Sequence, residues 1–154
     1  MPATCMLPAI QQHAALLQSS YTALLGEALL ELASPTTDLS QALWQAPFAI
    51  VSHDTAADPI FNYANRCALQ LFEFEFAEFI TLPSRFSAEA INREARAQLL
   101  AEVSQKGYIN NYAGVRISKT GKRFLIQNAV VWNIFDHQQR YCGQAACFKS
   151  WEYL

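Results

Sequence analysis

Apolar residues at Ile10, Ala14, Leu17, Tyr21, Leu24, Ala28 and Leu32 recur at steps of three and four, which predicts an amphipathic helix from about Pro8 to Leu32. Leu16, Leu25 and Leu29 widen the stripe beyond one face, so the helix has to cover either its own domain or a second copy. Ser34-Pro35 should end it, because the residue before a proline is pushed out of the helical region. Asp38-Leu39-Ser40-Gln41 then has the form of a capping box, with Gln in place of the usual Glu, for a short helix through Trp44.

From Pro47 onward short strands and helices alternate. Phe48 to Ser52 and Ile60 to Tyr63 read as strands, separated by a polar turn. Asn65 is placed to cap a helix from Arg66 to about Phe72. The aromatic-rich stretch Phe74 to Ile80 reads as another short helix, broken by Leu82-Pro83-Ser84. Ser87 to Lys106 is the clearest helix: Ile91, Ala95, Leu99 and Val103 step along its buried side, while Glu89–Arg93 and Glu102–Lys106 form pairs outside. Gly107 stops it.

Three strands follow, Tyr108 to Ser118, Arg123 to Phe135 and Arg140 to Lys149, with turns at Thr120-Gly121 and at Asp136 to Gln139. Under strict alternation, Phe124, Ile126, Val130, Trp132 and Ile134 share one face of the middle strand, with Leu125, Ala129, Val131 and Phe135 on the other. A strand apolar on both faces is covered on both. The expectation is therefore an α+β fold: a five-stranded antiparallel sheet with helices on one face and the N-terminal helix covering the other. The chain divides into a helical cap and dimerisation segment, 1–45, and a sheet-bearing domain, 46–154.

Composition narrows the function. A chain of 154 residues that is 52% hydrophobic can bury a core without metal or disulfides. The net charge is −2 and no Lys/Arg cluster appears, which argues against direct nucleic-acid binding. No apolar run approaches the ~20 residues a membrane span needs, and no secretory leader is apparent, so a cytoplasmic location is expected. Cys5, Cys67, Cys142 and Cys147 form no Cys-x-x-Cys pair and lie at no zinc-ligand spacing from a histidine, so they read as small buried hydrophobes in a reducing compartment. No phosphate loop, nucleophile elbow or His-rich metal motif is present. His53, Asp54 and Asp58 lie near a strand end and invite an acid/base reading, but such residues more often make the turn itself, and no enzyme is expected.

The candidate chemistry lies in the meander. Asn128, set among apolar residues, needs a partner if buried, from the protein or from a ligand. Tyr108, Asn110, Tyr112, Arg116 and Ser118 share one face of the preceding strand under alternation. Two registers are open. A two-residue turn at Thr120-Gly121 sets Val115 against Ile126 and turns the Tyr/Arg face outward. A loop changed by one residue brings Tyr112 and Arg116 inward beside Asn128, lining a pocket suited to an anionic or flavin-like ligand. Trp132 reads first as core packing and second as a pocket wall.

The element order is that of a PAS domain, and the residues resemble one family closely. His53-Asp54, Asp58 through Arg66, Leu82-Pro83-Ser84-Arg85, Gly107-Tyr108-Ile109, Gly114 through Ser118, Val131-Trp132-Asn133 and Gly143 through Ala146 resemble the MEKHLA domain. The blocks span roughly residues 40 to 151; Gln138-Gln139 departs from the pattern in a turn where the family often carries glycine. The resemblance implies a PAS-related module of the stand-alone type, sensing light, redox state or a small molecule and pairing as a homodimer. It also places Ser84 and Arg85 where PAS domains carry helices over a pocket, beside the alternative of a helix cap and a surface arginine. The ligand candidates are thus Asn128, Arg116, Tyr112, Trp132, Ser84 and Arg85, toward flavin or another small molecule. Haem is not expected, because no histidine lies between His53 and His137. Asn65-Arg66-Cys67 superficially echoes the flavin-adduct signature of light-oxygen-voltage domains, but in a different residue order and on a different helix, so Cys67 reads as a packed cysteine.

Overall fold

The computed structural model describes residues 4–32, 38–87 and 93–154. A single 3-10 turn, Thr4–Met6, leads into α1, Pro8–Leu25. The helix is shorter than its apolar stripe, because Gly26 takes a left-handed conformation (φ 76°) and its N–H closes on the Thr22 carbonyl. The chain then folds back: the Gln18 side chain accepts from Leu29 N–H at 2.8 Å and donates to the Leu30 carbonyl at 3.3 Å. Leu29 thus reaches the core from a turn rather than from a helix. Ser34-Pro35 lies outside the described residues. Asp38 caps α2, Leu39–Trp44, by accepting from Gln41 N–H.

The strands are β1, Ala49–His53, and β2, Phe61–Ala64, followed by α3, Arg66–Phe72, and α4, Phe76–Phe79. After a 3-10 turn, Ser84–Ser87, helix α5 is described over Arg93–Lys106; the expected start at Ser87, Ile91 and the Glu89–Arg93 pair fall on residues or side chains outside the description. The meander is β3, Tyr108–Ile117, β4, Arg123–Phe135, and β5, Tyr141–Phe148. These form an antiparallel sheet in the order β2-β1-β5-β4-β3. A sixth strand, β6, Ser150–Tyr153, was not expected; it continues the β5 arm beyond Lys149 and pairs with Phe124 to Gln127 of β4.

Asn65 ties β1, α2 and α3 together. Its carbonyl oxygen accepts from Ile50 N–H and Ala68 N–H, both at 3.1 Å. Its amide donates to Leu43 O at 3.0 Å and to Phe48 O at 2.8 Å. Each hydrogen-bonding capacity of a fully buried amide is thereby used.

The sheet is covered on both faces. Ile50, Tyr63, Trp132, Ile134, Ala145 and Cys147 pack with Leu17 and Tyr21 of α1. Val51, Phe61, Phe124, Ile126, Ala129 and Phe148 pack against α3 and α4, and Val131 against Leu99 and Val103 of α5. This corrects the alternation expected for β4. Ile126 and Trp132 are an even number of residues apart yet lie on opposite faces.

The cause is an extra residue in β4 between Ile126 and Ala129, where Asn128 adopts a left-handed φ of 54°. A second irregularity in β3, with Asn111 at φ 60°, restores the ladder. It also separates Tyr108, which packs on the α1 side, from Tyr112 on the other. Asparagine tolerates this backbone region better than other side chains, since its short amide can bond locally.

Candidate functional site

The hairpin register decides which residues reach the interior. Ile117 pairs with Arg123, and Ser118 N–H bonds to the Lys122 carbonyl at 2.9 Å, leaving a loop of Lys119, Thr120 and Gly121. Gly121 sits at φ 90°, where a side chain would be strained. This is one residue longer than a two-residue turn. Gly114 therefore opposes Ile126, Arg116 opposes Phe124, and Arg116 turns inward. Glu73 at the end of α3 secures the loop, accepting from Ser118 and Thr120 and pairing with Lys122. These partners hold its carboxyl below the usual range, the Thr120 hydrogen bond contributing most.

Between this face of the sheet, α5 and the Ser84–Ser87 turn lies a cavity of about 70 Å³, with Val51, Phe61, Tyr112, Arg116, Val131 and Gln144 among its lining residues. Tyr112 lies flat along β3. A Cβ on Gly114 would stand 2.5 Å from the Tyr112 hydroxyl, so only glycine leaves room for the ring. Arg116 Nη2 donates to that hydroxyl at 3.3 Å, and Nη1 donates to the Val115 carbonyl at 3.1 Å. Its guanidinium also stands 5.6 Å from the Tyr112 ring centre. Arg116 has no carboxylate partner among the described residues.

Gln144 is the lining residue that sequence reasoning missed. It is buried, and its amide donates to Asn133 Oδ1 at 3.2 Å. Asn133 Nδ2 in turn donates to the Val103 carbonyl of α5 at 3.2 Å. A backbone carbonyl can only accept, so the chain of bonds fixes both amides, and Gln144 Oε1 keeps no hydrogen bond among the described residues. One signal was available: Gln144 is the single strongly polar side chain in Cys142-Gly143-Gln144-Ala145-Ala146-Cys147-Phe148.

Of the sequence candidates, Tyr112, Arg116 and Ser84 meet at this cavity. Asn128 does not; it is exposed at the irregularity in β4, and the expected pairing with Arg116 inside a pocket is corrected by that backbone turn. Trp132 is fully buried on the opposite face, edge-on to Tyr21 of α1 at 5.0 Å between ring centres. Arg85 points outward to Asp58 at 3.1 Å, with both side chains about half exposed, so the pair contributes ~0–1 kcal/mol. Asp54 makes the turn, its Oδ1 accepting from Ala56 N–H at 3.1 Å and Ile60 N–H at 3.0 Å. Cys67 directs its thiol toward the Pro47 carbonyl, and burial raises its pKa.

The opposite face carries a polar docking point for α1. The Ser52 hydroxyl donates to Asn62 Oδ1, so it accepts from His13 Nε2–H at 2.8 Å. Nδ1 of the same ring has no hydrogen bond among the described residues, and burial lowers the His13 pKa from 6.5 to about 4. Further along, Ser20 Oγ accepts from Phe135 N–H at 2.9 Å. Leu16, Leu24 and Leu25 also pack inside the chain.

Comparison with known proteins agrees with this architecture. A profile of the MEKHLA domain matches residues 11–153. The chain is 27% identical over 118 residues to the homeobox-leucine zipper protein ATHB-9 of Arabidopsis thaliana, covering 75% of this chain and 14% of that protein. It is 26% identical over 146 residues to the homeobox-leucine zipper protein REVOLUTA of the same plant, covering 90% of this chain and 17% of that one. The chain thus spans about a sixth of the length of such relatives.

Among solved structures, the PAS domain of a protein from Colwellia psychrerythraea superposes with a TM-score of 0.61 at 16% identity, over 70% of this chain and 89% of that one. An RNA-binding light-oxygen-voltage receptor superposes with a TM-score of 0.58 at 20% identity, over 79% of this chain and 36% of that one. The fold is PAS-like.

Proposed function

The chain belongs to the MEKHLA domain family, and from that premise we propose that it is a sensory module that takes a small ligand in the cavity between sheet and α5 and passes the effect to α1. The observation that carries this reading is the polar capacity left open at one apolar cavity: Arg116 bonds only neutral acceptors and has no carboxylate partner among the described residues, and Gln144 Oε1 keeps no hydrogen bond among them. Buried polar groups are ordinarily satisfied, and a ligand can supply what the protein does not. The strands that line the cavity on one face hold α1 on the other, through Ser52 and Phe135. Binding is favoured over catalysis because the acids near the strand end are occupied, Asp54 by its turn and Asp58 by Arg85.

Self-association belongs to the proposal in a restricted form. With the leucines of α1 packed internally, exposed Met6, Leu7 and Leu32 remain as apolar surface near this helix for a second copy. A cytoplasmic setting is part of the same reading, supported by four unpaired cysteines. No helix among the described residues is long and apolar enough to cross a membrane.

The size of the cavity favours one alternative. About 70 Å³ is well below the ~300–1,000 Å³ of ordinary ligand pockets, as expected of an interaction domain whose core is filled by its own side chains. Ala146 lines the cavity, so Ala146→Leu should fill it and separates the two readings. If the sensory reading holds, mass spectrometry of the denatured wild type recovers a small molecule that the variant lacks. Absence of any such molecule, together with a variant that is more stable and otherwise unchanged, would establish the filled-core alternative.

A further inference from the structure

We infer that the ligand is a compact monocarboxylate with a short apolar body, held by Arg116 and Tyr112; this rests on the sensory reading above and gives it a chemical class. The polar end of the cavity presents donors. Arg116 spends two hydrogen bonds on neutral acceptors, the Val115 carbonyl and the Tyr112 hydroxyl, and keeps its charge uncompensated among the described residues. Because the Tyr112 oxygen accepts from Arg116, its own proton is available to donate outward. A fork of guanidinium N–H groups beside a hydroxyl donor matches the two oxygens of a carboxylate.

The remaining wall chemistry limits the rest of the molecule. Val51, Phe61, Ile126, Val131 and Phe148 are apolar, and Arg116 is the single Lys or Arg among the described lining residues. Among the described lining residues a second anionic group would meet no further lysine or arginine. A volume near 70 Å³ leaves room for a few heavy atoms, and a flavin-sized group would require the core to open. The position of Tyr112 is itself built in, since Gly114 is the residue that lets the ring lie along β3 toward Arg116.

Isothermal titration of the purified full chain at neutral pH and constant ionic strength tests this, with sodium propionate, its neutral isostere propionamide, and sodium succinate as probes. Propionate should saturate one site, with propionamide and succinate at least tenfold weaker. Arg116→Gln should reduce propionate affinity at least tenfold, Arg116→Lys less, and the melting temperature of both variants should stay close to wild type. Unchanged affinity in Arg116→Gln, or acid and amide binding alike, would overturn the carboxylate assignment. Saturable propionamide binding that Ala146→Leu abolishes would overturn the anion class while leaving the sensory reading intact. No saturation by any of the three would overturn the assignment too, and recovery of a different molecule from the denatured wild type would show that the sensory reading survives it.

Discussion

Protonating His13 should loosen α1 from the sheet. The Ser52 hydroxyl has one proton and gives it to Asn62, so the neutral imidazole must donate from Nε2 and leave Nδ1 bare. A second ring proton would place a charge on a ring that burial holds largely away from water. This is the physical source of the fall in pKa from 6.5 to about 4. The unfolded chain then binds the proton first, so stability is complete above pH 6.5 and declines as pH falls toward 4. The full difference amounts to about 2–3 kcal/mol after allowing for the ring's remaining solvent contact.

Urea unfolding of wild type and His13→Gln between pH 7.5 and 4.5 measures it, since glutamine can still donate to Ser52. The stability difference between the two proteins should shift by roughly 1 kcal/mol per pH unit below pH 6.5. Glu73, Glu78 and Asp136 have lowered pKa values through their hydrogen bonds, so their contribution is present above the ordinary carboxylate range and fades below it. They are common to both proteins and cancel in the difference. A difference that stays flat from pH 7.5 to 4.5 would refute the argument.

Other expectations follow from the same geometry. Asn65→Ala removes a helix cap and strands Ile50 N–H and the Leu43 and Phe48 carbonyls, and should cost about 3–5 kcal/mol in urea unfolding. At exposed Asn128, Gly should be neutral or mildly stabilising, whereas Val should cost about 1–2 kcal/mol through backbone strain without altering propionate binding. Gly114→Ala should displace the Tyr112 ring and weaken propionate binding more than it lowers the melting temperature. Light scattering coupled to gel filtration should show association in the wild type that is reduced when Met6, Leu7 and Leu32 are replaced by serine; a monomer at tens of micromolar would sink the paired form.

Much of the architecture was readable because local signals agreed with one another. The cap at Asn65 placed α3, and the run from Arg123 to Phe135 placed β4. α1 was read too long because its apolar periodicity continues past Gly26, which ends the helix in a left-handed turn, and Leu29 and Leu30 reach the core from the segment that follows. β6 escaped notice because Lys149 looked like a strand end, although the arm resumes pairing one residue later.

The candidate site was half legible. Tyr112 and Arg116 were available, but their orientation depended on a single loop residue. Asn128 was misplaced because alternation carries no mark of an inserted residue, apart from asparagine's own tolerance for the left-handed region. Gln144 was quoted only as part of a resemblance, since one polar residue in a strand does not say where its second hydrogen bond goes.

The irregularity at Asn128 also changes how β4 answers to mutation. A strand tolerates polar replacement on a two-residue beat, and the beat here skips once. Up to Ile126 the even positions are the intolerant ones toward the cavity side; from Ala129 that role passes to odd positions, while the even ones serve the helix side. Deleting Asn128 would leave Ile126 and Ala129 two positions apart in regular alternation, with Val131 still toward the cavity and Trp132 still toward α1. Straightening the strand with Asn128 kept in register is what would drive Trp132 toward the cavity. One residue outside both cores thus sets the parity by which a continuous strand divides its side chains between the cavity side and the α1 side.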